Sequence, residues 1–168
     1  MKVTAFAILL AVQMLATVAS ATPLKPGATV AYFGLTFIDT STEGAYSGSR
    51  QDEAARLDML SDFVRQEFAR KGFVLLDIGP VQEEIDRVVN PADCNGCEIL
   101  MARKLGADYA VVGEVQKVSN LILSMNLVVR ETASGNMAKG LSVDIRGNND
   151  KSWLRGMSYI LRNNTFKE

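Results

Sequence analysis

The chain has 168 residues, with 18 Lys and Arg against 19 Asp and Glu, and it contains no histidine. A formal charge of −1 without a basic run does not favour binding to nucleic acid or to an anionic membrane surface. The lack of histidine excludes, within this chain, a Ser-His-Asp or Cys-His catalytic triad and an HExxH zinc site.

The N-terminus has the pattern of a signal peptide. Lys2 precedes an almost wholly apolar run over residues 3–18, and residues 19–21 read Ala-Ser-Ala, the small-x-small pattern of a cleavage site. This run is shorter than the roughly 20 residues that cross a bilayer, which argues against a membrane anchor. We therefore predict export, with cleavage after Ala21 and no membrane span in the mature chain.

One domain over residues 29–168 is predicted to follow a short linker over residues 22–28. Nearly unbroken or alternating apolar residues indicate strands, and apolar residues at spacings of three and four indicate amphipathic helices. The predicted elements are a strand at 29–37, a loop at 39–49, a helix at 51–71, a strand at 73–78, a helix at 81–89, a helix at 96–105, strands at 107–117, 121–130 and 137–146, and a helix at 150–162. The order β-α-β-α-β-β-β-α is typical of an α/β (α+β) domain with a mixed sheet of about five strands, a C-terminal hairpin and a closing helix.

The polar loop at 39–49 is a candidate site for a partner or ligand. Its glycines permit close approach, and the loop with its flank supplies Asp39, Thr40, Tyr46 and Arg50. Tyr46 could offer a stacking face and Arg50 an anion contact. The alternative is a mobile polar connection. No GxxxxGK[ST] or GxGxxG pattern is present, so the sequence does not favour a nucleotide site.

The two cysteines, Cys94 and Cys97, form the one motif with evident chemical potential. Asn95 and Glu98 have the spacing of a capping box, which predicts a helix capped by Asn95 with Cys97 at its second position. In an oxidising compartment such a pair is expected to form a structural disulfide. Its ring is short, so the stabilisation is roughly 2 kcal/mol at most.

Two other interpretations of the cysteine pair remain open. A helix N-terminus favours a thiolate and would support a redox-active pair, although the acidic side chains of Asp93 and Glu98 oppose that effect. A metal site would need further ligands from Asp93, Glu98 or a second chain, because two thiolates fill only half of a zinc shell. We predict neither a resident metal nor a cofactor.

The turn before the last helix is the third candidate site, with Arg146, Asn148, Asn149 and Asp150. The alternative is a purely structural turn in which Asn149 or Asp150 caps the helix. Trp153 belongs with the apolar stripe of that helix, and we predict that it lies in the core.

Several segments resemble known bacterial proteins. Residues 105–119, LGADYAVVGEVQKVS, and the hairpin NLVVRETASGNM over residues 126–137 resemble the curli-assembly lipoprotein, TolB N-terminal and penicillin-binding-protein-activator group. More closely, VAYFGLTFIDTSTEGAYSG, CNGC and SVDIRGNNDKSW resemble a family of exported bacterial domains of unknown function, often encoded beside quinoprotein alcohol dehydrogenase systems. The wider group implies an α/β domain for protein–protein contact in the envelope, and a periplasmic location.

Three functions are compatible with these patterns. The first is a non-enzymatic periplasmic accessory domain that binds a protein partner, serving a quinoprotein dehydrogenase or an envelope-assembly system. The second is a thiol-redox protein that uses Cys94 and Cys97. The third is a small-molecule or cofactor carrier with the polar loop as its lid. The sequence favours the first, because it contains no recognised catalytic constellation.

Overall fold

The structure is a computed structural model that describes residues 23–48 and 50–167. The predicted signal peptide and its cleavage site lie outside these residues. The described elements are β1 (Thr29–Asp39), α1 (Thr42–Ser47), α2 (Gln51–Arg70), β2 (Val74–Leu75), α3 (Gln82–Asp86), α4 (Cys97–Leu105), β3 (Tyr109–Lys117), β4 (Ile122–Glu131), β5 (Met137–Arg146) and α5 (Asp150–Ile160). None of the described helices is both long and apolar enough to cross a bilayer.

The strands form one mixed sheet in the order β2-β1-β3-β4-β5. β1 is parallel to both of its neighbours, whereas β3, β4 and β5 are successively antiparallel. Helices connect the parallel strands and tight turns connect the antiparallel ones, as chain geometry requires. The predicted single α+β domain, with its C-terminal hairpin and closing helix, is confirmed.

The two faces of the sheet carry separate apolar clusters. On one face, α2 and α5 pack over the centre of the sheet through residues that include Leu60, Val64, Phe68 and Trp153, all fully buried. On the other face, α4 packs over a smaller cluster that includes Ala31 and Phe33 of β1 and Ala110 and Val112 of β3. The apolar stripes predicted for α2 and α5 are confirmed, and so is the buried position of Trp153.

The structure differs from the prediction at the carboxyl ends of β1 and β2. The polar segment 39–49 is not wholly a loop: Asp39 belongs to β1, where it pairs with Lys117, and α1 occupies Thr42–Ser47. The Ser41 hydroxyl accepts the N–H of Gly44 and caps this helix, a role that propensity alone did not reveal. The second strand has only two residues, because only Val74 and Leu75 pair with β1, and a 3₁₀ turn follows at Gly79–Val81.

Two side-chain placements also differ from simple alternation. Leu121, the first residue of the strand predicted at 121–130, precedes β4 and is 72% exposed. Leu24 and Ala28, which fall in the predicted linker, are buried against the α2 side of the sheet. The domain core therefore begins before the first strand.

The predicted capping box does not form. α4 begins at Cys97 with Gly96 as its N-cap, and Asn95 and Gly96 have positive φ angles of 56° and 96°. These are left-handed conformations that asparagine and glycine tolerate better than other residues. They turn the chain back on itself, so the Cα atoms of Cys94 and Cys97 lie 5.5 Å apart.

Candidate functional site

Six polar side chains form a connected cluster, here called the polar network, at one end of the sheet. They come from β1, α2, β3 and the turn into α5: Asp39, Glu53, Arg56, Lys117, Asn148 and Asp150. Asp39 ends β1 and Lys117 ends β3, and these neighbours are parallel, so both lie at the carboxyl edge of the sheet. Open α/β sheets place their ligand sites at this edge, which makes the network a candidate site.

Lys117 is the more deeply buried of the two cations in the network. Its Nζ lies 2.8 Å from Glu53 Oε1 and 3.2 Å from Asp39 Oδ2, and the Lys117 and Glu53 side chains are each only 1% exposed. Desolvation acts to lower the pKa of Lys117, but the hydrogen bonds to Glu53 and Asp39 outweigh it and raise the pKa above 10.5. The amine therefore stays protonated near neutral pH.

Asn148 joins the turn before α5 to α2. Its Nδ2 donates to Glu53 Oε1 at 2.6 Å, and its Oδ1 accepts from Arg56 Nη1 at 2.9 Å and from Trp153 Nε1 at 3.1 Å. Arg56 Nε also donates to Asp150 Oδ1 at 2.9 Å. These bonds couple α2, α5 and the carboxyl ends of two strands.

The chemistry available to the network is limited by this pairing. A protonated Lys117 held between two carboxylates cannot act as a nucleophile or as a base. Glu53 Oε2 is buried and has no hydrogen-bond partner among the described residues. The network therefore fits a structural joint between the two helices and the sheet better than it fits a reactive centre.

Asp39→Asn is expected to remove an acid-sensitive part of the stability. Desolvation acts to raise the pKa of Asp39, but hydrogen bonds from Ser41 and Lys117 outweigh it and hold the pKa below 3.8. The stabilisation by this carboxylate is therefore present above pH 3.8 and is lost as the pH falls through the lower folded-state pKa. In urea titrations, the stability gap between wild type and variant should narrow as the pH is lowered from 5 to 2. A gap that is independent of pH would contradict this placement of Asp39.

The cysteine pair lies at a second place, between the 3₁₀ turn Pro91–Asp93 and α4. The two sulfur atoms are 2.02 Å apart, at the distance of a disulfide bond. Glu98 Oε2 lies 3.2 Å from Cys94 Sγ, and its other oxygen pairs with Arg130 Nε at 3.2 Å. The Glu98 side chain is only 5% exposed. A metal that used both thiolates and Glu98 would require this disulfide to be reduced, because a sulfur in a disulfide is not a thiolate.

A groove of about 390 Å³ lies between β5 and α5. Val143, Ile145 and Tyr159 supply apolar surface, and Asp144, Arg146 and Arg155 supply charge. β5 is the last strand of the sheet and pairs only with β4 among the described residues, so its other side is open. This open side and the groove beside it are here called the β5 edge.

Residues 28–165 match the model of a family named DUF3280, with the description "Protein of unknown function (DUF2380)". The match spans most of the chain and nearly the whole domain. The chain belongs to this family. The resemblance to a family of domains of unknown function is thereby confirmed. A sequence search of curated proteins found no match.

Solved structures share the fold of this DUF3280 domain. The LpoB C-terminal domain from Salmonella enterica is 13% identical, covering 73% of this chain and 85% of that chain, with a TM-score of 0.53. The lipoprotein GNA1162 from Neisseria meningitidis is 17% identical, covering 78% of this chain and 90% of that chain, with a TM-score of 0.50. The distant resemblance to the penicillin-binding-protein-activator group is confirmed as a likeness of fold.

In this DUF3280 domain, the two predicted polar segments meet, but not all of their residues take part. Asp39, Asn148 and Asp150 enter the polar network, and Thr40 Oγ1 donates to the Lys117 carbonyl at 3.0 Å. The remaining sequence-predicted residues lie outside it. Tyr46 is 88% exposed, Arg50 pairs with Asp52 at the surface, Arg146 borders the groove, and Asn149 caps α5 through the Ser152 N–H.

Three members of the network were missed: Glu53, Arg56 and Lys117. Glu53 and Arg56 look like ordinary charges in the first turns of a surface helix, and Lys117 looks like the polar end of a strand. One signal was available in the sequence. Lys117 continues the inward-facing row of Val111, Gly113 and Val115 in an alternating strand, which places its side chain on the buried face.

Proposed function

We propose that this domain is a non-enzymatic accessory domain of the bacterial envelope that binds a protein partner at the β5 edge. The observation that carries the proposal is a ten-residue edge strand with an open side and a groove next to it. An unpaired strand edge offers a row of backbone donors and acceptors to another chain. Proteins use such edges to bind extended segments by adding a strand.

The orientation of the backbone supports strand addition. The Gly147 N–H donates to the Leu121 carbonyl across the β4–β5 pair. In an antiparallel pair the backbone groups of alternate residues point to the same side. The N–H groups of Ser142 and Asp144 therefore point away from β4, towards the open side.

The groove indicates the chemistry of the partner segment. The charged residues that line it are two cations, Arg146 and Arg155, and one anion, Asp144, and the half-exposed Tyr159 forms part of its wall. We infer an extended segment of a partner protein that carries acidic side chains and an apolar residue. Charge complementarity of this kind favours association and partner choice. On the sequence resemblance, the partner belongs to a quinoprotein dehydrogenase or an envelope-assembly system, and the signal-peptide pattern supports a periplasmic location.

Variants of the β5 edge test this proposal. Arg155→Glu reverses a charge at the rim of the groove, and Tyr159→Ala removes the exposed ring. Ser142→Pro removes a backbone N–H that points to the open side, and it breaks no hydrogen bond between β5 and β4. We expect each to lose at least about tenfold in affinity for the partner, which corresponds to about 1.4 kcal/mol. Tyr46→Ala is the matched control, since this exposed tyrosine lies on α1 and away from β5.

The measurement is recovery from periplasmic extract, followed by titration of the purified partner against each variant. One specific protein should be retained by wild type and by Tyr46→Ala and lost with the three β5-edge variants. Loss with Tyr46→Ala alone would move the site to the polar loop and overturn the proposal. Recovery of only a second copy of this chain would also overturn it, because it would make the β5 edge a homodimer interface.

A further inference from the structure

Glu98 is placed to interact with the reduced form of the cysteine pair. Its carboxylate is buried beside Cys94, at 3.2 Å from the sulfur atom. The sulfur of a disulfide has no proton to donate, so the short contact gives no hydrogen bond while the pair is oxidised. In the reduced state, the Cys94 thiol can donate to this carboxylate. The surroundings of Cys94 therefore favour the dithiol, and a disulfide whose reduced form is stabilised acts as an oxidant.

Cys97 has a different environment from that of Cys94. It is the first residue of the nine-residue helix α4, where unpaired backbone N–H groups favour a thiolate. The other charged groups that the structure places around the pair are Asp93 in the preceding turn and Arg130 from β4. Arg130 is paired with Glu98, which fixes the carboxylate in place. The two thiols are therefore not equivalent.

A small molecule can reach this place. A hollow of about 370 Å³ lies beside the pair and is lined by their chain neighbours Asp93, Asn95, Gly96 and Glu98, and by Arg130, while the cysteines themselves do not line it. Its volume is in the range of small-ligand sites. Both cysteines are partly exposed rather than buried. The short ring that they close gives little stability, so its opening does not threaten the fold.

We propose that Cys94, Cys97 and Glu98 form a thiol–disulfide exchange site that oxidises low-molecular-weight thiols. A thiol RSH in the hollow loses its proton to Glu98, and the thiolate attacks Cys97 Sγ. The Cys94–Cys97 bond breaks, the Cys97–S–S–R bond forms, and the departing Cys94 sulfur takes the proton from Glu98. A second thiolate then attacks the substrate sulfur of the mixed disulfide. This second attack releases RSSR and leaves Cys97 as a thiolate at the start of α4.

The electrons and protons of this sequence balance. Two RSH become one RSSR, and the protein disulfide accepts the two electrons. One proton ends on Cys94 and the other goes to solvent with the ionisation of Cys97. The activity is independent of binding at the β5 edge, so either proposal can fail without the other.

Glu98→Gln tests the role of the carboxylate. Glutamine keeps the size of the side chain but cannot take up the proton, so we expect reduction by dithiothreitol near neutral pH to be at least about tenfold slower. Glu83→Gln is the matched control, because Glu83 is an exposed residue of α3 that pairs with Arg87 at the surface. The control should react at the wild-type rate. Equal rates for wild type and Glu98→Gln, in variants with native far-UV spectra, would overturn the proposal.

Single-cysteine variants provide a second readout that a purely structural disulfide would not produce. In Cys94→Ser the remaining Cys97 should be alkylated by iodoacetamide at a lower pH than Cys94 is in Cys97→Ser. Adding Glu98→Gln to Cys97→Ser should move the profile of Cys94 to lower pH, because a negative charge next to the thiol is lost. Identical profiles for the two thiols, unaffected by Glu98→Gln, would show a structural disulfide only and would overturn the exchange site.

Discussion

Lys117→Met is expected to lower the free energy of unfolding by about 3–5 kcal/mol, which is the usual cost of removing one partner of a buried ion pair. Methionine fills a similar volume, so the loss comes from the charges that remain. Without the ammonium, the carboxylates of Glu53 and Asp39 would face each other without a counter-ion in a largely buried part of the fold. The measurement is a urea titration followed by fluorescence of the single tryptophan, Trp153.

A surface lysine gives the matched control for this prediction. Lys104 pairs with Glu84 where both side chains are well exposed, so Lys104→Met should change the stability by less than about 1 kcal/mol. The double variant Lys117→Met/Glu53→Gln should recover part of the loss, because it removes one of the stranded charges. If Lys117→Met and Lys104→Met cost the same, the polar network does not hold the helices to the sheet.

The fold could be predicted where one hydrophobic pattern decides the structure. The helix α2 has its apolar residues at regular spacings, and β4 alternates between buried and partly exposed side chains. Both patterns survive in the structure because each element has one apolar face to bury. β2 was harder, since a short apolar run has no period and its length depends on pairing with β1.

The sites could be predicted only as separate segments. Asp39 and Asn148 are more than one hundred residues apart, and each is a candidate from the sequence because the segment around it is polar and turn-like. Their meeting depends on the parallel pairing of β1 with β3 and on where α5 starts, which no local pattern encodes. The capping box failed for a related reason. The sequence around Asn95 allows it, but the geometry that joins Cys94 to Cys97 selects left-handed backbone instead.

The groove beside β5 was not predicted at all. The sequence indicates that Val143 and Ile145 face the core, and in the structure they do. Because β5 is an edge strand, part of its core-facing side remains accessible and lines the groove. Which strand lies at the edge follows from the sheet order rather than from the sequence of β5 itself. A surface for partner binding is therefore visible only once the topology is known.

Trp153→Ala is expected to cost about 3–5 kcal/mol, as for other large aromatic residues that are truncated in a core. The ring is fully buried, its centroid lies 5.8 Å from that of Phe37, and its N–H donates to Asn148 Oδ1. Loss of the ring would thus leave a cavity under α5 and also remove one donor from the polar network. Thermal unfolding followed by far-UV circular dichroism measures the change, because the variant has no tryptophan to report on it.

Trp153→Phe separates these two contributions. Phenylalanine keeps most of the apolar contact with Phe37 but has no N–H for Asn148, so the expected loss is smaller, at about 1–2 kcal/mol. A double variant tests whether the two sites are coupled. Because Asn148 is hydrogen-bonded to both Trp153 and Glu53, the losses in the free energy of unfolding caused by Trp153→Ala and Lys117→Met should not be additive. Strict additivity would mean that the core under α5 and the polar network are independent. A combined loss smaller than the sum would show that the bonds through Asn148 make them one structural unit.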